Sequence, residues 1–262
     1  LKKKQKWLAN QPLEAILGLL NTARKTWADI PELEPYRNTG LNFLADWCEP
    51  NRLHNLLDSA LHGHRGYLDN FMPRKDISHS SLKAMPRGVV SHWLSGNVPL
   101  LGMFALVQSM LSKNANILKV SADESQALPI LLNSFKGLSY TTPGGFTING
   151  DDLLETLAVV YFDRYQINIA EKFSSTADVR IAWGGREAIE SVSTLPKKYN
   201  SQDILFGPKL SMMAIGSDAL NSEKSIRKLV RRAATDASVF DQFACASPHT
   251  IFVEKGGDIS PK

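Results

Sequence analysis

Cysteine is scarce in this sequence of 262 residues, which contains two: Cys48 and Cys245. They form no CxxC pair, and neither is spaced from a histidine as zinc ligands are. The scarcity argues against a disulfide-stapled secreted fold and against a metal site. A reducing compartment, the cytoplasm, is the expected location.

A long apolar run is also lacking. The longest apolar stretch extends from Val98 to Leu111 and is interrupted by Pro99 and Gln108. It falls short of the roughly 18 residues that a membrane span needs. We therefore expect no membrane span and interpret this stretch as a buried helix.

Charge of one sign is not in large excess. The chain has 30 Lys and Arg against 26 Asp and Glu, a net charge of +4 that the lysines at positions 2, 3, 4 and 6 account for. Nucleic-acid-binding proteins cluster basic residues on a folded face, so no nucleic-acid partner is expected. This basic start does not open a signal peptide either, because Asn10, Pro12 and Glu14 break the apolar stretch that should follow.

The first 85 residues show helical periodicity. Apolar side chains recur at Leu13, Ile16, Leu17 and Leu20, and again between residues 53 and 61. Spacings of three and four residues place such side chains on one face of a helix. Residues 1–85 are therefore predicted to form a mostly helical N-terminal region.

From Arg87 onward, strand-like and helix-like segments alternate. Residues 88–94 and 116–121 are predicted strands, and the apolar segment 100–113 between them is predicted to be a helix. Further strands are expected at 156–162, 179–183, 212–215 and 250–253, helices near 187–192 and 222–234, and a loop around 141–150. This alternation is typical of an α/β fold with a doubly wound parallel sheet.

Three candidate binding positions lie at or just beyond the carboxyl ends of predicted strands. In open α/β sheets, ligands bind outside the carboxyl ends of the strands, and Asn97 lies there after the first strand. Its amide could donate to an oxyanion, although an ordinary turn would also accept asparagine. Lys119, near the end of the second strand, could reach a dinucleotide or simply be solvated. Gly184-Gly185 precedes a helix, which suits a phosphate or a plain turn.

Cys245 lies in the segment Phe240-Asp-Gln-Phe-Ala-Cys-Ala-Ser-Pro248. A free cysteine is more often an inert buried residue than a nucleophile. Here small neighbours and the following proline indicate a turn, which favours an accessible thiol. His249 follows closely, but nearness in sequence is not the usual arrangement of a Cys/His nucleophile, so a cysteine protease is not favoured.

A basic stretch lies in the predicted helix at 222–234. Arg227, Lys228, Arg231 and Arg232 share one helix face through their spacing of three and four residues. A solvated surface is the simplest explanation for it.

Five segments in one order are more specific than any single motif. They are His92-Trp-Leu-Ser-Gly-Asn-Val-Pro99, Ile117-Leu-Lys119, Ala182-Trp-Gly-Gly185, Phe206-Gly-Pro-Lys209 and Asp241-Gln-Phe-Ala-Cys-Ala-Ser-Pro248. Together they resemble the acyl-CoA reductase family, which includes the fatty acid reductase of bacterial bioluminescence, within the aldehyde dehydrogenase superfamily. The first 85 residues fit this family only loosely.

The resemblance implies an aldehyde-dehydrogenase-like fold. In that fold residues 86–236 are the dinucleotide-binding domain and residues 237–262 are the start of a catalytic domain. Members of the superfamily continue well beyond this point, so we expect the catalytic domain to be truncated in this sequence.

The resemblance also implies roles for individual residues. Cys245 is the expected nucleophile, and Asn97 is the expected oxyanion donor beside the Cys245 backbone N–H. The expected cofactor-binding residues are Lys119, Ser121, Gly184 and Gly185.

Two departures from the wider superfamily refine the expected chemistry. Hydrolytic aldehyde dehydrogenases carry a glutamate base where this chain has Leu205, so an acyl-enzyme is not expected to be hydrolysed. Their ribose-binding glutamate is matched by Ala122, which favours NADPH. That preference depends on the register, because Asp123 and Glu124 follow directly.

The expected function is the NADPH-dependent reduction of an activated fatty acyl group to the aldehyde through a cysteine thioester. The expected partners are a fatty acyl-CoA or an acyl donor protein, a second copy of the chain, and an acyl-activating enzyme. Two alternatives stay open: an aldehyde dehydrogenase that works towards the acid, and a catalytically inactive α/β binding module.

Overall fold

Helices dominate the first 70 residues of the chain, and strands and helices follow in mixed order after them. The computed structural model describes residues 1–74, 79–96, 100–121, 126–238, 242 and 245–256. The α-helices in these residues are α1 (Lys2–Ala9), α2 (Leu13–Arg24), α3 (Asn42–Trp47), α4 (Pro50–Ala60), α5 (Leu101–Leu111), α6 (Ala127–Asn133), α7 (Gly150–Leu154), α8 (Ile167–Thr176), α9 (Arg186–Thr194) and α10 (Glu223–Ser238). Short 3-10 helices span Trp27–Asp29, Pro31–Tyr36, Arg65–Leu68 and Ser217–Ala219, and a π-helical turn spans Arg37–Leu41.

The strands in the same residues vary from two to six residues in length. They are β1 (Met72–Pro73), β2 (Ser81–Leu82), β3 (Val89–Trp93), β4 (Ala115–Lys119), β5 (Ser139–Thr141), β6 (Thr147–Asn149), β7 (Leu157–Val160), β8 (Val179–Trp183), β9 (Gln202–Phe206), β10 (Ser211–Ile215) and β11 (Pro248–Val253). Strands β1 and β2 form an antiparallel pair, as do β5 and β6.

In the described part of the chain, five strands form one sheet with the order β7-β4-β3-β8-β9. Every neighbouring pair in it is parallel. The chain moves outward from β3 through β4 to β7, then crosses to the other side of β3 and continues through β8 to β9. The predicted α/β fold is confirmed, and the direction of winding reverses between β3 and β8.

Helices cover both faces of this sheet. Successive strand residues point to opposite faces, so that Leu118 and Ile117 of β4 enter different cores. Leu118 packs in the larger core with buried residues of α5 and α6, among them Leu106 and Leu131. Ile117 packs in the smaller core with Phe173 of α8. A parallel sheet covered on both faces is the usual arrangement for α/β proteins.

The N-terminal helices contribute to the larger core. Ile16 and Leu20 of α2 are fully buried and belong to the same cluster as Leu106 of α5. Helix α2 also lies against the β5–β6 hairpin, where an added Cβ on Gly18 would come within 2.0 Å of the Tyr140 ring. The mostly helical character predicted for residues 1–85 agrees with the structure up to the short strand pair β1–β2.

The turn that leads into the central strand β3 requires a glycine. Gly88 has a φ of +126°, and an added Cβ would lie 2.3 Å from Asp178 Oδ2. That carboxylate oxygen accepts a hydrogen bond from the Val89 backbone N–H at 2.9 Å. The Asn114 side-chain oxygen accepts from the backbone N–H groups of Arg87 and Gly88. These contacts place the start of β3.

The chain divides into two compact units, residues 1–206 and 207–262. Within the second unit, β10 and β11 form a parallel pair, and α10 contacts β11. The division between the units differs from the boundaries predicted at residues 85/86 and 236/237, which stay predictions.

Some elements differ from their predicted positions. The predicted loop around 141–150 contains the β5–β6 hairpin, in whose turn Thr142 N donates to Phe146 O at 2.8 Å. Strand β4 ends at Lys119 rather than at Ser121, and β9 and α8 were not predicted. No helix in the described residues has the length and apolar character to cross a bilayer.

Candidate functional site

The carboxyl edge of the five-stranded sheet holds the predicted cofactor-binding residues. Lys119 ends β4, and Gly184 follows β8; these strands flank the central β3 on its two sides. The reversal of winding between β3 and β8 marks the place where open α/β sheets bind ligands. The structure therefore brings together Lys119 and Gly184-Gly185, which are 65 positions apart in sequence. Asn97 and Ala122 lie outside the described residues.

Lys119 is a half-buried cation at this edge. Its Nζ lies 5.6 Å from the centre of the Phe162 ring, a cation–π arrangement. Desolvation by burial lowers the pKa of its ammonium group, and the nearby charge of Asp163 acts in the opposite direction. Its ammonium has no ion-pair partner within 4.0 Å among the residues that the structure describes. An incompletely paired, partly desolvated cation favours an anionic ligand.

Aromatic rings pack on the α8 side of the sheet below Lys119. The Trp93 ring meets Phe173 edge-on at a centroid distance of 4.9 Å and Phe162 at 5.9 Å. Phe162 and Phe173 pack against each other at 5.5 Å. Trp93 is paired with Lys119 in register, so the Trp93 and Lys119 side chains lie on the same face of the sheet, next to Phe162 and Phe173.

Gly184-Gly185 connects β8 to α9 without side chains. The Gly184 N–H donates to Phe206 O at 3.2 Å, which extends the ladder between β8 and β9. An added Cβ on Gly184 would meet the Ala188 Cβ at 2.8 Å, whereas one on Gly185 would meet nothing within 4 Å. Gly184 thus allows α9 to pack close to the strand. Gly185 leaves open space at the helix N-terminus, where a phosphate is favoured.

Two further residues lie at this edge, of which the sequence predicted one, Ser121, as a site residue and not the other, Leu100. Ser121, a predicted cofactor-binding residue, is half-buried and lies two residues beyond β4. Leu100 was not predicted: it is buried and precedes α5 with a φ of +64°. Leucine is disfavoured in this conformation, and such strain concentrates at functional sites. No local sequence pattern reveals a positive φ at leucine.

His92 lies in the centre of the sheet and belongs to the core. It is fully buried, and its Nε2 donates to Asn116 Oδ1 at 2.9 Å, because the Asn116 amide nitrogen itself donates to Asn114 O. Burial lowers the pKa of His92 to about 4. The imidazole is therefore neutral at physiological pH and stabilises the packing of β3 against β4.

The two cysteines have opposite environments. Cys48 is fully buried in the larger core, and burial raises the pKa of its thiol to about 12. Cys245 is exposed in the second unit, three residues before β11. Its carbonyl oxygen accepts a hydrogen bond from Ser211 Oγ at 2.6 Å, which ties the cysteine backbone to the start of β10. Only a thiol that reagents can reach serves as a nucleophile, and Cys245 meets that condition.

Known proteins resemble this chain over most of its length. The sequence profile of the acyl-CoA reductase (LuxC) family matches residues 8–262. A long-chain acyl-protein thioester reductase from Aliivibrio fischeri is 29% identical over 263 residues, which cover 93% of this chain and 50% of that protein. One from Photorhabdus luminescens is 29% identical and covers 87% of this chain and 45% of its own length. The chain spans about half the length of these curated relatives.

A solved structure shares the fold over nearly the whole chain. An aldehyde dehydrogenase from Bartonella henselae superimposes with a TM-score of 0.63 at 12% identity, over 97% of this chain and 50% of that one. At this identity the likeness shows the fold, which is that of the aldehyde dehydrogenases. With this fold and a profile match over nearly its whole length, the chain belongs to the acyl-CoA reductase (LuxC) family.

Proposed function

We propose that this protein reduces a long-chain fatty acyl thioester to the aldehyde, with NADPH as reductant and Cys245 as the residue that carries the acyl group. The observation that carries the proposal is the exposed Cys245 in a chain of the acyl-CoA reductase family. The names of its relatives, acyl-protein thioester reductases, support an acyl donor that is itself a protein.

The first step is acyl transfer to the cysteine. The Cys245 thiolate attacks the carbonyl carbon of the donor thioester and a tetrahedral oxyanion forms. The donor C–S bond then breaks, and the leaving thiolate takes up the proton that the Cys245 thiol released. We assign the oxyanion donors to the Asn97 amide and the Cys245 backbone N–H. One donor of this kind is worth about 10²–10³ in rate.

The carboxyl edge of the sheet fits a dinucleotide. The Lys119 ammonium lacks an ion-pair partner in the described residues and is suited to hold a phosphate or ribose group. The open space at Gly185 and the first amide groups of α9 are suited to the diphosphate. Ser121, nearby in the chain, joins them. The chemistry that NADPH supplies when bound is hydride transfer to the thioester carbon, which frees the aldehyde and the Cys245 thiolate.

The fate of the acyl group depends on water. At the position of the glutamate base of hydrolytic aldehyde dehydrogenases, this chain presents Leu205, a partly exposed residue of the edge strand β9. A leucine cannot activate water, so the thioester on Cys245 persists until it is reduced. This favours aldehyde formation over the oxidation of an aldehyde to the acid, which needs hydrolysis of the thioester. A cytoplasmic location and a homo-oligomeric state complete the proposal.

Acyl labelling tests the nucleophile. The intact protein is incubated with a radiolabelled tetradecanoyl thioester, and we expect label that neutral hydroxylamine removes. Cys245→Ala should abolish the label because no other described cysteine is accessible. Cys48→Ala is the matched control and should retain it, since that thiol is buried with a raised pKa.

The same experiment separates the alternatives. Label that persists in Cys245→Ala would contradict the assignment of the nucleophile. An intact protein that binds NADPH yet takes up no label would instead support a catalytically inactive binding module.

A further inference from the structure

Helix α10 presents a strongly basic outer face. Its inner face is formed by the less exposed residues, which face the rest of the second unit: Ile226, Leu229, Ala233 and Ala237. On the opposite side, five exposed basic side chains recur at spacings of three and four residues: Lys224, Arg227, Lys228, Arg231 and Arg232. We call these five residues the basic face. It extends about 12 Å along the helix at 1.5 Å per residue.

The charges of the basic face are almost uncompensated. Arg227 lies 3.9 Å from Glu223, and both side chains are 83% exposed, so this ion pair contributes little. The other four cations have no ion-pair partner in the part of the chain that the structure describes. A solvated helix face usually mixes the two signs of charge, because like charges at these spacings repel one another. This face does not.

The basic face belongs to the same compact unit as Cys245. Helix α10 ends at Ser238, seven residues before Cys245. The helix contacts β11, which begins three residues after Cys245. A partner bound to α10 therefore engages the same compact unit that carries Cys245.

We propose that the basic face is a docking surface for an acidic face of the protein that delivers the acyl group; this rests on the proposed function. The five side chains border an open depression of about 370 Å³ and not an enclosed cleft, so the face suits an extended protein surface better than a buried small ligand. Charge complementarity of this kind raises the rate of encounter and sets the orientation of the partner. An acyl thioester carried by an acidic protein would thereby reach Cys245 preferentially.

The test compares donors that share one thioester arm. The probes are tetradecanoyl groups on an acidic acyl carrier protein, on coenzyme A and on neutral pantetheine. The variant is the double charge reversal Lys228→Glu with Arg231→Glu, and a second variant carries glutamine at both positions. The matched control reverses two exposed lysines of the first unit, Lys25→Glu with Lys136→Glu, so that the net charge changes equally.

The basic-face reversal should raise KM for the carrier-protein thioester about tenfold or more, with kcat unchanged. KM for the pantetheine thioester should not change, and the control should behave as wild type. Calorimetric titration with the unacylated carrier protein should show the same loss of affinity, and a weaker dependence on salt.

Other outcomes would contradict the proposal that the basic face is a docking surface. An equal rise in KM for acyl-coenzyme A would assign the basic face to the phosphates of that molecule. Unchanged kinetics and affinity with the carrier protein would return the basic face to a solvated surface. If the reversal abolished only binding to anionic phospholipid vesicles, the face would instead be assigned to a membrane surface. Failure of the wild type on all three thioesters would contradict the proposed function itself, while the titration would still decide the docking.

Discussion

At the scale of single residues, the best-defined interaction is a buried ion pair that sequence reasoning did not single out. Arg180 of β8 is fully buried, and its Nε and Nη2 donate to the two oxygens of Asp203 on β9 at 2.7 and 2.8 Å. Its Nη1 donates to Ser174 Oγ and to the carbonyl oxygens of Val192 and Leu195. One guanidinium thus joins two neighbouring strands to α8 and α9.

Asp203→Asn should destabilise the fold strongly. Removing one partner of a buried pair leaves the other charge uncompensated, which costs about 3–5 kcal/mol. The control is Glu190→Gln, which breaks the exposed pair with Arg186, whose side chain is 84% exposed; it should cost less than about 0.5 kcal/mol. Urea denaturation measures both, and similar losses in the two variants would show that the buried pair contributes no more than the exposed one.

The pH dependence of the unfolding free energy checks the same Arg180–Asp203 ion pair. Hydrogen bonds from Arg180, and a further one from Lys197 at 2.7 Å, lower the pKa of Asp203 to about 2, against a burial effect that raises it. Since the folded pKa lies below the ordinary value near 3.9, this stabilisation is complete above about pH 5 and is lost as the pH falls through about 2. The difference in unfolding free energy between wild type and Asp203→Asn should shrink over that range. A difference that is independent of pH there would contradict the assignment.

At the scale of elements, Asp69 connects the N-terminal helices to the sheet. Its carboxylate accepts a hydrogen bond from Leu13 N at the start of α2, at 3.1 Å to each oxygen. It also pairs with Lys113, which lies between α5 and β4 and is 3% exposed. The carboxylate therefore satisfies one helix terminus and one buried cation together.

Asp69→Asn should cost about 3 kcal/mol, because Lys113 would remain buried without its counter-charge. Asp46→Asn, at an exposed position of α3, is the matched control and should change stability by less than about 0.5 kcal/mol. Urea denaturation followed by circular dichroism measures the loss. Equal effects of the two substitutions would mean that Lys113 finds another partner.

The elements that the sequence predicted are those whose local pattern is strong. Strand β8 was predicted with its exact bounds, because a short run rich in β-forming and apolar residues is followed by two glycines. Strand β9 was missed: three of its five residues are apolar yet partly exposed, and it is a strand because of its pairing with β8. The β5–β6 hairpin was missed because its threonines and glycines are typical of loops, and packing against α2 stabilises it.

At the scale of the whole molecule, cofactor binding should increase the thermal stability of the protein. A ligand that binds only the folded state stabilises it by about 2.7 kcal/mol at one hundred times its Kd. NADPH should therefore raise the Tm, and NADH should raise it less at equal concentration. Lys119→Met should reduce the NADPH shift because the cation at the sheet edge is lost, while Lys25→Met, at an exposed position, should leave it unchanged.

Thermal unfolding with each nucleotide measures these shifts without any need for turnover. Equal shifts with the two nucleotides would contradict the NADPH preference inferred from Ala122. An unchanged shift in Lys119→Met would remove that residue from the proposed site.

The sequence by itself determined the alternation of strands and helices, the family motifs, and the identity of the candidate site residues, since each is recorded in a few neighbouring positions. It did not determine the strand order, which brings Lys119 and Gly184 to one edge on the two sides of β3. Nor did it determine that Arg180 is buried beside Asp203, or that Cys48 is buried while Cys245 is exposed. Only the tertiary structure decided these, because pairing and desolvation depend on residues that are distant in the chain.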